Sequence, residues 1–419
     1  MMGFNNSCIF NSRRHDWKKK ALRCILDISE NETQIYKERC VPMKVNVKQQ
    51  QLAHSLSLVS RAVSPRSTLP VLSNILIKTD NGRLRLSATN LELGITCWIG
   101  ARIEGEGAIT VPSRTFTDLV SALPDEQVIM ELDNSTQTLN VRCGSSETNI
   151  KGIDAEEFPP IPEPNLEEGV HLSITNFKEM VQQVAFAAST DEARPVLTGV
   201  LLKMDGDHIS MAATDGFRIS IREDTISNPI EKPLEAIIPA RALVELARIV
   251  GGGDKTLIMT FPPDRGQVIF HMDDLELASQ LIEGSFPDYR AIIPPKFKTH
   301  TLLSTAGLLK ACKQAEIIAR EGTNVARLNI IPETDDASPG TLEISAQSEQ
   351  TGTSEVLVDA SVDGLPLLVA FNVRFLREVL EVVKADNVWL ETNAANTPGM
   401  LHPQGDDNFK HIIMPMHMA

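Results

Sequence analysis

The stretch PVLSNILIK at residues 70–78 recurs as PVLTGVLLK at residues 195–203, about 125 residues further along, which is a typical domain length. The same separation relates LSATNLEL at 86–93 to MAATDGFR at 211–218. Two further landmarks return in the same order: VPSRTFTDLVSAL at 111–123 as IPARALVELARIV at 238–250, and FPPI at 158–161 as FPDY at 286–289. Four landmarks at a nearly constant separation indicate a duplicated domain.

A third, more diverged copy follows the second. Its landmarks are NVARLNII at 324–331, LEISAQSEQ at 342–350 and FNVRFLREVLEVV at 371–383. Solenoid and propeller repeats are only about 20–50 residues long, so repetition on this scale indicates whole domains in series. An enzyme needs one asymmetric site, whereas three copies of one domain form an extended, quasi-symmetric surface. The repeat therefore favours a protein that encircles or scaffolds something.

The composition sets limits on the class of protein. The chain has 419 residues, of which 42% are hydrophobic and 23% charged, as expected for about three globular domains. No apolar run reaches the roughly 18 residues that a membrane span requires. The formal net charge of −15 argues against ordinary tight binding to nucleic acid, which depends on phosphate neutralisation. Locally clustered basic residues can still contact phosphates.

Residues 1–42 differ from the rest of the chain. They hold Cys8, Cys24 and Cys40 and the basic run RRHDWKKK at 13–20. No apolar stretch of signal-peptide length follows this run. Since MKVNVKQQQL from Met43 reads as the natural start of the first repeat, we predict that 1–42 is an upstream extension or a misassigned start. The alternative is a nucleic-acid-binding or docking tail.

The other three cysteines, Cys97, Cys143 and Cys312, fall one in each repeat without CxxC spacing. They cannot build a zinc site, and three cysteines cannot pair evenly into disulfides. A reducing cytoplasm is therefore the expected location. The nine histidines are scattered, with no HExxH motif, and we predict neither a metal nor a cofactor.

Each repeat is predicted to contain two helices. The first helices are expected near 48–62, 175–187 and 305–319, where apolar residues follow helical spacing. Leu52, Leu56 and Val59 form this stripe in the first copy, and Leu309 and Cys312 begin it in the third. The second helices are expected after the Val-Pro or Ile-Pro step, and their apolar residues follow the same spacing: Phe116, Leu119, Val120 and Leu123; Leu243, Leu246, Ala247 and Val250; Leu376, Val379, Leu380 and Val383.

Short runs of alternating hydrophobicity, such as 84–87, 128–132, 257–261 and 388–391, predict half-buried strands. Asp80-Asn81-Gly82 and Asp205-Gly206-Asp207 are predicted hairpin turns. The fold class is therefore α+β, with antiparallel sheets and two helices on one face of each domain. Proline-rich stretches at 159–164 and 287–295 place the domains at 43–163, 164–296 and 297–419.

The predicted helices carry basic residues away from their apolar stripes in every repeat. One such residue is an ordinary solvated side chain, but recurrence in three repeats favours a shared basic surface. These residues are Lys48, Arg61, Arg114, Lys178, Arg241, Arg248, Lys310, Lys313, Arg320, Arg374, Arg377 and Lys384.

Several segments together resemble the bacterial DNA polymerase III β subunits, the sliding clamps. They are RSTLPVLSNILI at 66–77, AATDGFRISI at 212–221, GGGD at 251–254, EGSFPDYRAIIP at 283–294, FNVRFLREVL at 371–380 and MPMHM at 414–418. The resemblance covers residues 43–419. It implies a head-to-tail ring of two chains around duplex DNA, with helices facing the hole. It also implies a clamp-loader ATPase complex, replicative and translesion polymerases and repair proteins as partners, and no bond made or broken.

The resemblance also implies site residues. Arg66 and Arg114 match DNA-contact positions, and Arg194 lies in a loop of another DNA-contact region, where Pro195 and Val196 replace tyrosines of some members. Arg241 and Arg248 complete the expected DNA-binding set. The expected subunit contact joins Thr148 and Ile150 to Ile317 and Ile318, and Thr148 replaces a larger apolar residue of some relatives. The expected peptide-binding cleft comprises Leu197, Thr214, Gly216, Phe217, Arg218, Ile219, Pro287, Ile292, Met414, Pro415, Met416 and Met418.

The sequence leaves other interpretations of these features open. The terminal Met-Pro-Met-His-Met could be a final strand packed on its own core instead of a binding surface. Asp215 could be imagined as a catalytic carboxylate, but its counterpart in the first repeat is Asn90, which favours a turn-forming role for both. An adaptor of the same architecture that binds peptides without encircling DNA is the alternative function.

Overall fold

The computed structural model describes residues 42–64, 69–251, 253, 255–263, 266–333 and 340–417. The predictions for residues 1–41, for Arg66 and for Met418 lie outside these residues. The chain forms two compact units. Of the described residues, the first comprises 42–56, 74–86 and 99–158, and the second comprises 57–64, 69–73, 87–98 and those from 159 onward.

Six α-helices lie in the described ranges. They are α1 (Gln49–Val59), α2 (Ser113–Ala122), α3 (Ile174–Val184), α4 (Ala240–Ile249), α5 (Thr305–Ala319) and α6 (Val373–Leu380). Each repeat therefore contributes two, as predicted. Side-chain caps fix several of the starts: Ser173 accepts a hydrogen bond from the Asn176 amide, and Asn372 accepts one from the Arg374 amide. Such caps satisfy amides that have no partner within the helix.

The described strands, in chain order, are β1 (Lys44–Lys48), β2 (Asn74–Asp80), β3 (Arg83–Thr89), β4 (Leu93–Gly100), β5 (Arg102–Gly105), β6 (Ala108–Pro112), β7 (Gln127–Asp133), β8 (Thr138–Cys143), β9 (Ser146–Lys151), β10 (Val170–Ser173), β11 (Gly199–Thr214), β12 (Arg218–Pro239), β13 (Thr256–Thr260), β14 (Gln267–Met272), β15 (Leu275–Gln280), β16 (Thr299–Ser304), β17 (Val325–Ile331), β18 (Thr341–Ser348), β19 (Gly352–Gly364), β20 (Leu367–Asn372), β21 (Asn387–Thr392), β22 (Gly399–Pro403) and β23 (Phe409–Ile413). With the helices, they confirm the α+β prediction.

In the first unit, five antiparallel strands form a sheet in the order β5-β1-β7-β8-β9. Strand β2 pairs with β6, with Asn74 opposite Pro112. The core of this unit includes Leu52 and Leu56 of α1 and Phe116 of α2, all fully buried. The predicted apolar stripes of both helices therefore face the core.

In the second unit, β10, β13, β14, β15 and β4 are neighbours in that order, and a ten-stranded sheet runs β11-β12-β23-β22-β21-β16-β19-β18-β17-β20. At two places a strand of one repeat pairs with a strand of the next. Strand β15 pairs with β4, with Leu277 opposite Ile95. Strand β23 pairs with β12, with His411 opposite Ser220. Backbone hydrogen bonds thus run across the boundary between successive repeats.

Two local predictions are corrected. Asp205-Gly206-Asp207 does not join two separate strands: β11 continues through it, and the pairing with β12 changes register on both sides of Gly206. Strand β12 also runs on past this corner, and the pairing of the two strands resumes at His208, which lies opposite Thr225. In α5 the core position next to Cys312 is Leu308, which is buried, while Leu309 is only partly buried. The predicted turn at Asp80–Gly82 does form, with Asn81 and Gly82 at positive φ.

The described cysteines, Cys97, Cys143 and Cys312, are free and buried. Burial, assisted by the nearby Glu316 carboxylate, raises the pKa of the Cys312 thiol to about 12. Among the described residues, no helix has the length and apolar character to cross a bilayer. The boundaries predicted at 163/164 and 296/297 stay predictions.

Candidate functional site

The turn that connects β11 to β12 is stabilised by hydrogen bonds to its own side chains. The Thr214 hydroxyl accepts a hydrogen bond from the Gly216 amide at 3.0 Å, and Asp215 accepts bonds from the amides of Phe217 and Arg218 at 2.9 and 3.1 Å. Gly216 has φ +94°, a conformation that glycine adopts at little cost. Asp215 therefore forms the turn, as predicted, and the turn holds Phe217 with 56% of its surface exposed.

The first repeat contains the same turn. Thr89 accepts a hydrogen bond from the Leu91 amide at 3.0 Å, and Asn90 accepts bonds from the amides of Glu92 and Leu93 at 3.0 and 2.7 Å. The sequence equivalence of Asn90 and Asp215 is thus an equivalence of geometry. What distinguishes the second turn is Arg218, where the first repeat has Leu93.

Arg218 points inward from the turn, with only 7% of its side chain exposed. Its guanidinium donates to Asp215 at 3.1 Å, to Glu378 at 2.5 Å and to the Phe186 carbonyl at 2.9 Å. It also stacks 4.3 Å from the ring centre of Phe375. Pairing and stacking together compensate for the cost of burying this charge. The turn is thereby fastened to helix α6.

Behind the turn lies a compact apolar cluster. Ile219 packs with Phe286, Tyr289 and Ile412, and the partly buried Val196 and Ile293 pack against this group. This cluster brings the segments that carry the predicted cleft residues together. Leu197 is half-buried, whereas Pro287 and Ile292 are exposed.

The chain end lies beside this turn. The Met414 amide donates to the Phe217 carbonyl at 2.9 Å, and the Met416 amide donates to the Ala370 carbonyl at 2.8 Å. Met414, Pro415 and Met416 are half-buried. The segment therefore packs partly on its own protein, as the structural alternative expected, while leaving apolar surface open next to Phe217.

A cavity of about 630 Å³ opens on the α6 side of the turn. Phe217 and Arg218 line it together with residues that sequence reasoning had not placed in the cleft. These are Phe186, Ala188, Ser189, Thr190, Asp191, Asp215, Arg374, Phe375, Arg377, Glu378, Glu381 and Val382. Arg194, predicted as a DNA contact, also lines this cavity and pairs with Asp191 at 3.2 Å. Except for Asp215, which belongs to the turn, these residues are distant from the turn in sequence, and no local pattern indicated that they meet it.

The second helix of each repeat begins with an arginine at an equivalent position: Arg114, Arg241 and Arg374. Arg114 is 96% exposed and lies 3.8 Å from Asp118. Arg374 donates to Glu378 at 2.8 Å. Arg241 is exposed and makes no ion pair among the described residues. Arg248 pairs with Glu245 at 2.7 Å. The helix faces are therefore basic but partly neutralised.

The residues predicted at the subunit contact differ in exposure. Ile317 on α5 is exposed, and Ile318 packs partly against the core. On β9, Thr148 is half-buried, but Ile150 is buried within its own unit. Ile150 can therefore contribute little of its side chain to a contact.

His411 on β23 is fully buried, with its Nδ1 2.6 Å from the Ser220 hydroxyl and its ring stacked on Phe186. Burial, together with the charge of Arg218, lowers the pKa of His411 well below its ordinary value of 6.5. The folded chain thus binds fewer protons than the unfolded chain as the pH falls below 6.5.

We expect the free energy of unfolding to decrease as the pH falls from 6.5 towards the lowered pKa of His411, by up to about 1.4 kcal/mol for each pH unit. Urea unfolding from pH 7.5 to 5 measures this. His411→Gln should reduce the pH dependence, whereas His171→Gln, at an exposed histidine, should leave it unchanged. An equal pH dependence in the wild type and in His411→Gln would contradict the assignment.

Comparison with known families follows the repeats along the chain. Residues 43–162 match the N-terminal domain of the DNA polymerase III beta subunit, residues 171–288 match its central domain, and residues 290–417 match its C-terminal domain. The fold with its three repeats is thus that of a sliding clamp.

Relatives match over their full lengths. The beta sliding clamp of Synechococcus elongatus is 34% identical, and that of Synechocystis sp. is 31% identical; each alignment covers 90% of this chain and 100% of the relative. The chain belongs to the DNA polymerase III beta subunit family, the beta sliding clamps.

Solved structures of sliding clamps have a similar fold. The Bacillus subtilis DNA polymerase sliding clamp superposes with a TM-score of 0.85 at 27% identity, and a Pseudomonas aeruginosa sliding clamp bound to griselimycin does so with a TM-score of 0.82 at 26% identity. Each covers 90% of this chain and 100% of its own.

Proposed function

We propose that two copies of this chain close head to tail into a ring that encircles duplex DNA without sequence preference. The ring stays on the DNA because it encircles the duplex, and it catalyses no making or breaking of a covalent bond. A clamp-loader ATPase complex opens and closes it in the cytoplasm. Replicative and translesion polymerases and repair proteins bind through short peptides at the cleft formed by the Thr214–Ile219 turn, Pro287, Ile292 and the Met414–Met416 segment.

One observation carries the proposal: strand pairing across successive repeats. Strand β15 of the second repeat pairs with β4 of the first, and β23 of the third repeat pairs with β12 of the second. The equivalent of β4 and β12 in the third repeat is β19, and the equivalent of β15 and β23 in the first is β9. In the described structure, β9 is the last strand of its sheet, and residues 352–358 of β19 pair only with β18.

The unpaired edges of β9 and β19 lie at the two ends of the repeat series. Pairing of β9 in one copy with β19 in another would form a junction like those between β15 and β4 and between β23 and β12. Such a contact is heterologous, and it closes when the last copy meets the first. Unpaired strand edges readily pair with another chain. A second copy therefore satisfies β9 and β19 as β15 satisfies β4.

The register of the existing junctions can be transferred to the proposed seam, which is the pairing of β9 in one copy with β19 in the other. Leu277 lies opposite Ile95, and the equivalent positions in β9 and β19 are Thr148 and Ser354. Polar residues therefore face each other where the second-to-first junction has two apolar side chains. Exposed Ile317 on α5 supplies an apolar contact nearby.

We expect Thr148→Phe to lower the subunit dissociation constant about tenfold, because burying an aromatic side chain adds about 1.4 kcal/mol or more. Analytical ultracentrifugation on serial dilution measures this constant. Thr138→Phe, on the neighbouring strand β8, is the matched control and should leave it unchanged. If Thr148→Phe and the wild type had equal subunit affinities, the expectation that polar Thr148 weakens the seam would be contradicted.

Basic residues on the second helices support DNA as the encircled partner. Arg114, Arg241 and Arg374 recur at one position in three domains, so they would form a repeating set of phosphate contacts around a closed ring. Contacts with phosphates carry no sequence information, which suits sliding. Flexible exposed arginines also permit contact through water, which leaves the duplex free to move.

The experiment that tests this role replaces Arg114, Arg241 and Arg374 by alanine, singly and together. Each lost phosphate contact should flatten the slope of log affinity against log salt concentration by about 0.9. Affinity for a linear duplex at several salt concentrations measures the slope. Arg102→Ala, at an exposed arginine on β5, should not change it. An unchanged slope in the triple variant would contradict DNA contact by these helices.

A further inference from the structure

A carboxylate four residues after the equivalent arginine recurs in the second helix of every repeat. By sequence, Asp118 follows Arg114, Glu245 follows Arg241 and Glu378 follows Arg374. The carboxylates have different partners in each repeat. Asp118 lies 3.8 Å from Arg114, whereas Glu245 binds Arg61 and Arg248 at 3.0 and 2.7 Å. In the third repeat alone, the carboxylate also binds the turn that carries Phe217.

Glu378 binds three arginines with its two oxygens. Its Oε1 accepts from Arg374 at 2.8 Å and, at the longer distance of 3.5 Å, from Arg377, whereas its Oε2 accepts from Arg218 at 2.5 Å. The carboxylate and Arg218 are largely buried, whereas Arg374 is 59% exposed. Burial raises the pKa of Glu378, but the hydrogen bonds and charges of Arg374 and Arg218 outweigh it, so that this pKa lies below its ordinary value. The group is therefore a charged carboxylate shared between a solvent-facing arginine and the turn.

We propose that Glu378 is a positioning residue that couples DNA binding at Arg374 to peptide binding beside Phe217. This inference rests on the proposed function. A DNA phosphate that takes Arg374 leaves the Glu378 carboxylate to Arg218 and to the more distant Arg377. The tighter Arg218–Glu378 pair then holds the Thr214–Arg218 turn in place before a peptide arrives. Ordering a binding surface in advance reduces the cost of association.

The coupling is reciprocal, because a change in peptide affinity caused by DNA requires an equal change in DNA affinity caused by peptide. A peptide that presses on Phe217 and fixes Arg218 against Glu378 weakens the hold of that carboxylate on Arg374. Arg374 then becomes available to a phosphate. A ring threaded on DNA would thus recruit peptide-bearing partners in preference to a free ring.

The test measures peptide affinity on free rings and on rings loaded on nicked circular DNA. The probe is a fluorescent peptide that carries the clamp-binding segment of the host replicative polymerase. Wild-type rings should bind the peptide about fivefold more tightly when loaded. Glu378→Gln should bring this ratio to about one. Asp118→Asn, at the equivalent carboxylate, which makes no hydrogen bond to a turn in the described part of the chain, should keep the wild-type ratio.

Arg374→Gln provides a second variant, since it removes an exposed side chain and leaves Arg218 paired with Glu378. It should also bring the ratio to about one, even if Glu378→Gln folds poorly. A ratio of one in the wild type, or a fivefold ratio retained in Arg374→Gln, would overturn the coupling. Failure of the proposed function is distinct: wild-type rings would then not load on the circle, or would not bind the peptide in either state.

Discussion

Phe217→Ala is expected to weaken the binding of a clamp-binding peptide at least about tenfold. Phe217 is a large apolar side chain held half in solvent by a turn that its own side chains stabilise. Aromatic anchors of this kind carry about 2 kcal/mol or more of a small interface. The half-buried Met414 and Met416 lie along the same apolar surface, and methionines adapt to varied ligands. Fluorescence anisotropy with the labelled polymerase peptide measures the effect.

The first repeat supplies the matched control. Leu91 is 51% exposed on the equivalent turn, but no apolar chain end hydrogen-bonds to that turn in the described residues. Leu91→Ala should therefore bind the peptide as the wild type does. If Leu91→Ala and Phe217→Ala lost equal affinity, or if neither lost any, the peptide would bind elsewhere.

Asn149→Pro is expected to weaken the association of the two subunits about tenfold or more. Strands β8 and β9 form a hairpin with a two-residue turn, in which Cys143 lies opposite Ser146. Hydrogen-bonded and non-hydrogen-bonded pairs alternate along such a ladder, so the amide of Asn149 points away from β8. Proline at this position removes an outward donor and leaves the β8 ladder intact.

Losing that donor leaves a carbonyl of the second copy without its partner, at a cost of about 1–3 kcal/mol. The subunit dissociation constant should therefore rise about tenfold or more. Ultracentrifugation should detect monomers at concentrations where the wild type is dimeric. Asn149→Ala keeps the amide and should stay dimeric. A dimer of wild-type strength in Asn149→Pro would show that β9 does not form the seam.

The helices could be predicted because apolar spacing and capping residues act over a few neighbours. Leu52, Leu56 and Phe116 had to face a core whatever the rest of the chain did. The turn at Asp215 could be predicted for the same reason, since its hydrogen bonds reach only three residues. The corner at Gly206 was assigned wrongly because a turn signal cannot reveal that the partner strand continues beyond it.

The cavity beside Phe217 could not be predicted from local pattern. Arg218 and Glu378 meet from different repeats, and no spacing rule relates them. Arg218 stands where the first repeat has Leu93, and this exchange was the available signal, because a charge at a position that is apolar in another repeat requires an acidic partner if it is buried. Likewise, Ile150 looked suitable for an interface by resemblance, yet its side chain is used within its own sheet.

The central claim is that the chain holds DNA by encircling it. The most direct measurement loads the full-length protein with a clamp loader onto nicked circular DNA, removes unbound protein by gel filtration, and cuts the circle once with a restriction enzyme. A topological ring should stay on the intact circle at high salt and should be lost from the cut DNA by sliding off its ends. Equal retention on circular and linear DNA would contradict encirclement and would favour a peptide-binding adaptor of the same fold.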